Sequence, residues 1–516
     1  MNGETLLISN TISLEDLISP FRGNVEVKIG IHEKEINQFS KILVYDAVQY
    51  LPFWYNYLKN KGFNFRYHIV IYFDSNKKKN NLVVSHVGLL FLYRKNLNIS
   101  KLINKVRTPH KYCKYCGKTL KDWGGKKHLM HPEGSLISDV WKHLNISEND
   151  VINKEIPEKI IPFIQKVFGE LEIIKGFRKV FRSENIFSEI NKINSLPTKY
   201  LNKLIQGDIL DVLKNFPSNS IDMIFIDPPY NINKNYREYT DYREDYVDWV
   251  ISWLEECFRV LKPGRSLFLL NIPLWQHEIL PKILEKYYLQ DWIVWDNPAE
   301  PKGKLIPAHY SILWLSKTKE VFVNEINERQ DHLDFCLRQN CRRKRALEGV
   351  KDKIEVRNVR WDIHRIKHRF KRLDHPTQLP PKLLEFLIKL TTNEGDIVLD
   401  PMMGVGTTPY VARKLNRNYI GIDISNYYVK LAELRLKGLI NFEKLSNISK
   451  KTSYTKKEIQ LKVGEFFLKE GYIPSLEEFC KRYNYNIEEV KNVFPSWSEA
   501  TKYAKIIADT LQNVKM

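Results

Sequence analysis

Between about Asn202 and Lys444, short apolar runs alternate with longer segments of helical period. Ile221–Ile226, Ser266–Asn271, Ser311–Leu315 and Asp396–Leu399 are apolar stretches bounded by polar or turn residues, and they predict strands. Tyr246–Leu261 and Pro380–Thr392 carry apolar residues three and four apart and predict helices. That alternation predicts an α/β fold, with a mostly parallel sheet covered on both faces. Many enzymes share the pattern, so by itself it fixes no chemistry.

The same pattern contains an internal echo. Ser85-His86-Val-Gly-Leu-Leu-Phe-Leu-Tyr-Arg-Lys95 resembles Ala308-His309-Tyr-Ser-Ile-Leu-Trp-Leu-Ser-Lys-Thr318, displaced by 223 positions. Ile156–Lys166 resembles Leu379–Lys389 at the same displacement, and Cys113 falls on Cys336. One shared displacement predicts a duplicated half-domain over residues 1–192. This first copy lacks the two chemistry-bearing sequences described below, so it is expected to be degenerate. After Lys450-Lys451 the chain is separately helical. Thr455–Glu458, Ser475–Glu478 and Ser496–Glu499 each place a hydroxyl three residues before Glu, which predicts a small helical domain over 450–516.

Composition changes the picture in three ways. With 43% hydrophobic and 12% aromatic residues, the chain is expected to be globular and not disordered. Its 81 Lys+Arg against 61 Asp+Glu leave a formal charge of +20, which makes a polyanion a plausible partner. Six cysteines, four of them in two close pairs, suit a reduced compartment better than a disulfide scaffold. No signal peptide is read at the N-terminus, and the most apolar stretch, Ser266–Trp275, is far short of the roughly 20 residues of a membrane helix. The expected location is the cytoplasm, with no membrane partner.

Two sequences carry the chemistry. Asp227-Pro228-Pro229-Tyr230-Asn231 follows one apolar strand, and Asp400-Pro401-Met402-Met403-Gly404-Val405-Gly406-Thr407-Thr408 follows another and opens a helix. A Gly-rich turn at that place lets the backbone approach a ligand beyond the strand ends. One strand later, Gly421-Ile422-Asp423 sets a carboxylate where it can bind ribose hydroxyls.

This set resembles the amino-methyltransferases of DNA, which move a methyl group from S-adenosylmethionine (SAM) to an exocyclic base nitrogen. Asp-Pro-Pro-Tyr looks like their catalytic motif, and Asp400–Thr408 looks like their SAM loop. His375-Pro376-Thr377-Gln378 resembles the segment leading to that loop, and Asp208 resembles the acidic site that meets the adenine of the cofactor. The motif order, catalytic sequence before SAM loop, resembles the beta group of the family. Met402-Met403 departs from it, since an aromatic residue is usual there. The resemblance covers about residues 200 to 440. It implies a Rossmann-like SAM-dependent methyltransferase fold, divided here at 193–319 and 373–445. The implied SAM-binding residues are Asp208, His375, Thr377, Asp400, Pro401, Gly404, Gly406, Thr407, Thr408 and Asp423.

The implied mechanism has a physical basis. The lone pair of an exocyclic amine is delocalised into its ring. Asp227 and the carbonyl of Pro228 would accept its two hydrogens and favour a pyramidal, nucleophilic nitrogen. Pro228 and Pro229 stiffen the loop, and Tyr230 would stack on a base that has left the duplex. Asp in the first motif position favours adenine N6 as target, because Ser is commoner in the cytosine-N4 branch; cytosine N4 is the alternative. The reading is a site-specific methyltransferase of double-stranded DNA from a restriction system, with a cognate endonuclease as a further partner and an oligomeric state that the sequence leaves open.

The segment 320–372 is unusually basic and stands where the family places target recognition. Arg338, Arg342, Arg343, Lys344, Arg345, Arg360, Arg365, Lys367 and Arg369 are expected to contact DNA. A second candidate chemistry is zinc. Cys113-Lys-Tyr-Cys116 with His128 and His131 has finger-like pairs, and Cys336 and Cys341 form a related pair near His364 and His368. Two separate sites, one four-Cys site joining both copies, or reduced cysteines without metal all fit the spacing. Finally, Phe494-Pro495-Ser496-Trp497 resembles the Phe-Gly-Ser-Trp lead of small helical repeats found beside homing endonucleases, with Pro for Gly, and suggests an added DNA clamp.

Overall fold

A computed structural model describes residues 5–30, 35–94, 97–98, 102–121, 128, 130–181, 192–234, 240–297, 303–366, 378–438 and most of 456–501. The chain builds two sheets, one from each half. The first uses β1 (Thr5–Ser9), β2 (Asn24–Ile29), β3 (Lys41–Asp46), β4 (Phe63–Asp74), β5 (His86–Arg94), β6 (Val140–Ser147) and β7 (Leu171–Phe181). Helix α1 (Leu51–Asn60) follows β3, and α2 (Ile161–Phe168) precedes β7. Their order across the sheet is β6-β4-β5-β3-β1-β7-β2.

The second half contributes β8 (Lys203–Gln206), β9 (Ile221–Ile226), α3 (Tyr246–Val260), β10 (Leu261–Asn271), α4 (Pro273–Ile283), β11 (Tyr288–Asp296) and β12 (His309–Ser316). It continues through α5 (Gln339–Leu347), β13 (Val359–Arg360), α6 (Pro381–Thr391), β14 (Ile397–Asp400), α7 (Thr407–Lys414), β15 (Asn418–Asp423) and α8 (Asn426–Leu436). The order is β8-β15-β14-β9-β10-β12-β11-β13, parallel except for β12, which runs antiparallel to both neighbours. The strands and helices expected from periodicity appear within a few residues of their predicted bounds. Ile221–Ile226 is buried throughout, as a central parallel strand covered on both faces must be.

The two sheets follow one plan. Read from one edge, β6-β4-β5-β3-β1-β7 and β13-β11-β12-β10-β9-β14 have the same order and the same relative directions. The echoed segments sit in matching places: the first pair contains β5 and β12, and the later pair overlaps α2 and α6. The plans diverge after β7 and β14. β14 stops at Asp400 and turns into a loop, whereas β7 runs straight on and pairs antiparallel with β2 from Gly176 to Phe181.

The halves dock face to face through reciprocal contacts. The amide of Val83 donates to the carbonyl of Val356 at 2.9 Å, and that of Ile306, 223 positions later, donates to Ile137 at 3.0 Å. His86 Nδ1 lies 3.1 Å from Asn358 Oδ1, and His309 Nδ1 lies 3.1 Å from Asp139 Oδ2. Helix α1 packs on α4, its counterpart, with Tyr55 donating to Glu278 at 2.7 Å and Lys59 pairing with the same carboxylate at 2.5 Å. This exchange, in which each partner's contact recurs with the roles swapped, is the signature of a two-fold arrangement.

The basic segment expected at 320–372 ends earlier than that. A small ribbon (Arg329–Asp331 with Lys353–Glu355) and α5 stand outside the sheet, but Val359 and Arg360 return to it as β13, beside Val294 and Trp295. The C-terminal segment forms α9 (Lys456–Glu470), α10 (Leu476–Tyr483) and α11 (Ile487–Val493) around its own core of Ile459, Val463, Phe479, Val490 and Phe494. Ser475 caps α10, accepting from the amide of Glu478 at 3.1 Å, and Trp497 packs 5.1 Å from Phe479. The box expected at Thr455 lies outside the described residues. No helix among the described residues is long and apolar enough to cross a membrane.

Candidate active site

Strands β8, β15, β14 and β9 are neighbours and parallel, so their carboxyl ends open on the same side. Those ends carry Asp208, Asp423, Asp400 and Asp227 in that order, around a cavity of about 430 Å³. Asp227, Pro229, Asp400, Pro401, Met402, Met403, Gly404, Thr407, Thr408 and Asp423 line it, together with Gly207, Asp208 and Gln378. The volume suits a cofactor-sized ligand.

The loop after β14 is shaped by its glycines. Gly404 and Gly406 have φ of 51° and 72°, in the left-handed region that favours glycine. At Gly406 a Cβ would also lie 2.6 Å from the Cβ of Ala432 in α8. Asp400 accepts from Thr408 Oγ1 at 2.5 Å and from the amide of Met402 at 3.1 Å, which closes the turn. Burial pushes Asp400 up to about 7, against the bonds from Thr408 and Met402, with the Asp423 charge adding to the rise. Asp423 in turn accepts from the amides of Gly404 and Ser425, at 2.9 and 2.8 Å. It therefore holds the loop in addition to facing the cavity. Asp208 is exposed and caps the short helix after β8, accepting from the amide of Leu210 at 2.8 Å. His375 and Thr377 lie outside the described residues.

Asp227 is half-buried at the end of β9. Its Oδ1 accepts the hydroxyl of Tyr230 at 2.6 Å. Burial pushes its carboxyl up to about 8; the Tyr230 bond opposes the shift, and the Asp400 charge adds to it. The motif is held from both sides: Tyr246 donates to the carbonyl of Pro229 and Trp275 to that of Tyr230, each at 2.6 Å. Tyr230, expected to stack on a target, is buried with its ring 5.6 Å from Tyr310, and is absent from the cavity wall. Its place in the described arrangement is to position Asp227.

Several residues of the wall escaped the sequence reading. Thr240–Arg243 and Trp249 line the cavity, and Tyr242 is 56% exposed. Asp241 fixes the loop by accepting from the amides of Ile232 and Lys234, and Asn231 exchanges two hydrogen bonds with the backbone of Arg243. The only local signal was turn chemistry: Asn231 and Asn233 take positive φ, a conformation Asn tolerates.

The basic segment needs correction at two positions. Arg345 is 1% exposed and bonds Cys341 Sγ, the Cys336 carbonyl and Asp352, so it is a buried counter-charge. Arg360 is fully buried against Asp362 and the Phe386 ring, on the strand that rejoins the sheet. Neither presents a cation to a partner. Arg342 is bidentate to Asp331, and Arg338 donates to the carbonyls of Thr119 and Lys121. Arg343 and Lys344 are exposed on α5, and Arg365 is half-buried. Lys367 and Arg369 lie outside the described residues. The metal expectation also changes. The sulfurs of Cys113, Cys116, Cys336 and Cys341 converge within 4.8 Å of one another, whereas His128 and His131 are exposed and outside that group.

Known proteins match the same part of the sequence. Residues 221–434 match the DNA methylase family of N6 and N4 methyltransferases. The chain is 33% identical to the type II methyltransferase M.BamHI of Bacillus amyloliquefaciens over 319 residues, 58% of this chain and 73% of the relative. It is 31% identical to the DNA adenine methyltransferase YhdJ of Escherichia coli (strain K12) over 281 residues, 49% of this chain and 91% of the relative. Among solved structures, a PvuII DNA methyltransferase (cytosine-N4-specific) aligns at 20% identity and a TM-score of 0.35, over 50% of this chain and 94% of that one. Asp227 and Pro229 thus line one cavity with the glycine loop in a chain matched to most of a curated relative, and the chain belongs to the N6/N4 family of DNA methyltransferases, resembling its type II modification enzymes.

Proposed function

We propose that this protein transfers a methyl group from SAM to N6 of adenine at specific sites in double-stranded DNA, as the modification half of a restriction system. The observation that carries the reading is the placement of Asp227 beside the glycine loop on one cavity. Its residues suit SAM: backbone amides and glycines at the loop, carboxylates at three strand ends for ribose, amino and sulfonium groups, and the apolar Met402 and Met403 for the adenine ring. When bound, SAM supplies the methyl group as an electrophilic sulfonium. The chain's own work is positioning. Asp227 and the carbonyl of Pro228 accept the two amine hydrogens, and transfer then frees a proton that Asp227 is placed to take. Tyr242 and Trp249 offer aromatic surface to a base flipped out of the duplex. Asp at position 227, and the kinship to a DNA adenine methyltransferase, favour adenine over cytosine.

Residues 1–192 are read as a degenerate copy of the catalytic domain that acts as a built-in partner. Where β14 ends and the glycine loop begins, its counterpart β7 continues as strand. Arg178, on the part of β7 that runs past the end of β14's plan, pairs with Asp16 and Asp46. Gly176 meets Asn10 so closely that a Cβ there would lie 2.5 Å from Asn10 Oδ1.

Mass spectrometry of nucleosides from DNA incubated with the enzyme and SAM tests the base: N6-methyladenine is expected, and N4-methylcytosine as sole product would reassign the target. Asp227→Ala should lower transfer by about 10²–10³-fold or more with SAM binding retained, since Asp227 acts on the target. The acidic limb of kcat/KM for SAM, which reports the enzyme before the cationic cofactor is bound, should lie well above the ordinary carboxylate value of about 4, towards about 8, because only the ionised carboxylate accepts the amine hydrogens. A profile flat from about pH 5 to 9 would remove this group from the mechanism.

Asp423→Ala should weaken SAM binding through the missing charge-assisted hydrogen bonds, roughly 1.5–3 kcal/mol each, and through the released Gly404 loop. Calorimetry showing unchanged affinity would refute the assignment. For DNA, Arg343→Ala with Lys344→Ala should reduce the slope of log affinity against log salt by roughly 0.9 for each phosphate that is no longer neutralised. An unaltered slope would make this helix face a solvated surface.

A further inference from the structure

The four converging cysteines serve no step in methyl transfer, and their geometry points to a structural zinc ion that staples the basic segment to the first half of the chain. Cys113 and Cys116 stand on a small turn of the first half, where the amide of Gly117, with φ of 64°, donates to the Cys113 carbonyl at 2.9 Å. Cys336 precedes α5 and Cys341 lies within it. Cys113 Sγ is 3.9 Å from Cys341 Sγ, and Cys116 Sγ is 3.7 Å from Cys336 Sγ. Both distances far exceed a disulfide bond of about 2.05 Å. They match the sulfur separation of about 3.8 Å that tetrahedral geometry gives for Zn–S bonds of about 2.3 Å.

The surroundings are those of a closed thiolate site. Cys113, Cys336 and Cys341 are 2%, 1% and 7% exposed, and Cys116 is half-buried. Four thiolates around a divalent cation leave two net negative charges. Arg345 supplies a buried counter-charge, donating to Cys341 Sγ at 2.8 Å while Asp352 and the Cys336 carbonyl hold its guanidinium. Four cysteines without a free position suit structural and not catalytic zinc. Contacts around the cluster tie the same two elements: Lys114 pairs with Asp334 at 2.5 Å, and Tyr115 donates to Glu348 at 2.6 Å. Each half of the chain gives one pair, with Cys113 and Cys336 at matching positions, so the ion is shared between the two halves.

What the ion would do follows from where α5 stands. Arg343 and Lys344 project from the helix that carries Cys341, outside the sheet, and the ribbon beside it is short. Few apolar contacts are available to fix such a helix. Four metal–sulfur bonds would fix it against the first half and so set the placement of its exposed cations.

Full-length protein purified under reducing conditions should contain one zinc ion per chain by elemental analysis. Replacement by cobalt should give the charge-transfer and d–d bands of a tetrahedral four-thiolate site. Cys116→Ser and Cys336→Ser, one from each half, should each bring the metal content close to zero and weaken DNA binding while leaving SAM affinity unchanged. Reduced protein that takes up neither metal stoichiometrically, or serine variants that keep the full complement, would overturn the inference. Should the variants not fold, the cobalt spectrum of the unaltered chain decides, since bands of fewer than four thiolates also overturn it.

Discussion

The two halves of the chain hold each other in place by reciprocal docking, and the candidate site, lined by the second half alone, is braced from that seam. Buried backbone groups find their partners across it, as Val83 does with Val356 and Ile306 with Ile137, and His86 Nδ1 meets Asn358. An unmet buried donor costs about 1–3 kcal/mol, so the seam resists sliding. Its effect reaches the catalytic loop through α4. That helix is braced from the first half by Tyr55 and Lys59 at Glu278, and three residues earlier its Trp275 holds the carbonyl of Tyr230. Tyr230 in turn donates to Asp227. A half that carries no glycine loop thus supports the half that does.

The second constraint is electrostatic. Three parallel strands in a row deliver Asp227, Asp400 and Asp423 to one cavity, and burial with mutual repulsion pushes the first two up to about 8 and about 7. Carboxylates kept this close favour a cationic ligand, which restores their ionised forms by direct attraction. A sulfonium cofactor meets that requirement. In the proposed reaction its charge would also bring Asp227 to the acceptor state that the amine needs.

Much of this was legible in the sequence, and the exceptions have physical causes. The strands around Asp227 and Asp400 announced themselves because a buried parallel strand must be apolar throughout, and the glycine loop because only glycine adopts its φ cheaply. The displacement of 223 positions reflected matching strand orders. Charge was a poorer guide. Arg345 and Arg360 look like their neighbours in a basic run, yet one is buried against Asp352 and the Cys341 sulfur and the other closes a buried pair with Asp362. Partner choice is set by long-range packing, which local composition does not encode. Spacing left the four-Cys site joining Cys113 and Cys336 as one of three arrangements, and only the docking of the halves selects it; Tyr242 and Trp249 went unread because their cavity positions depend on a loop clamped by Asn231 and Asp241.

One chain therefore holds two sheets of the same plan but, in the proposed reading, a single methyl-transfer site, because in the first half β7 and the paired Arg178 stand where the second half has its glycine loop. Equilibrium dialysis of the full-length protein with labelled SAM is the decisive measurement. One SAM should bind per chain, with binding weakened by Asp423→Ala and unaffected by substitutions of Asp16. Two SAM molecules per chain would contradict a single methyl-transfer site.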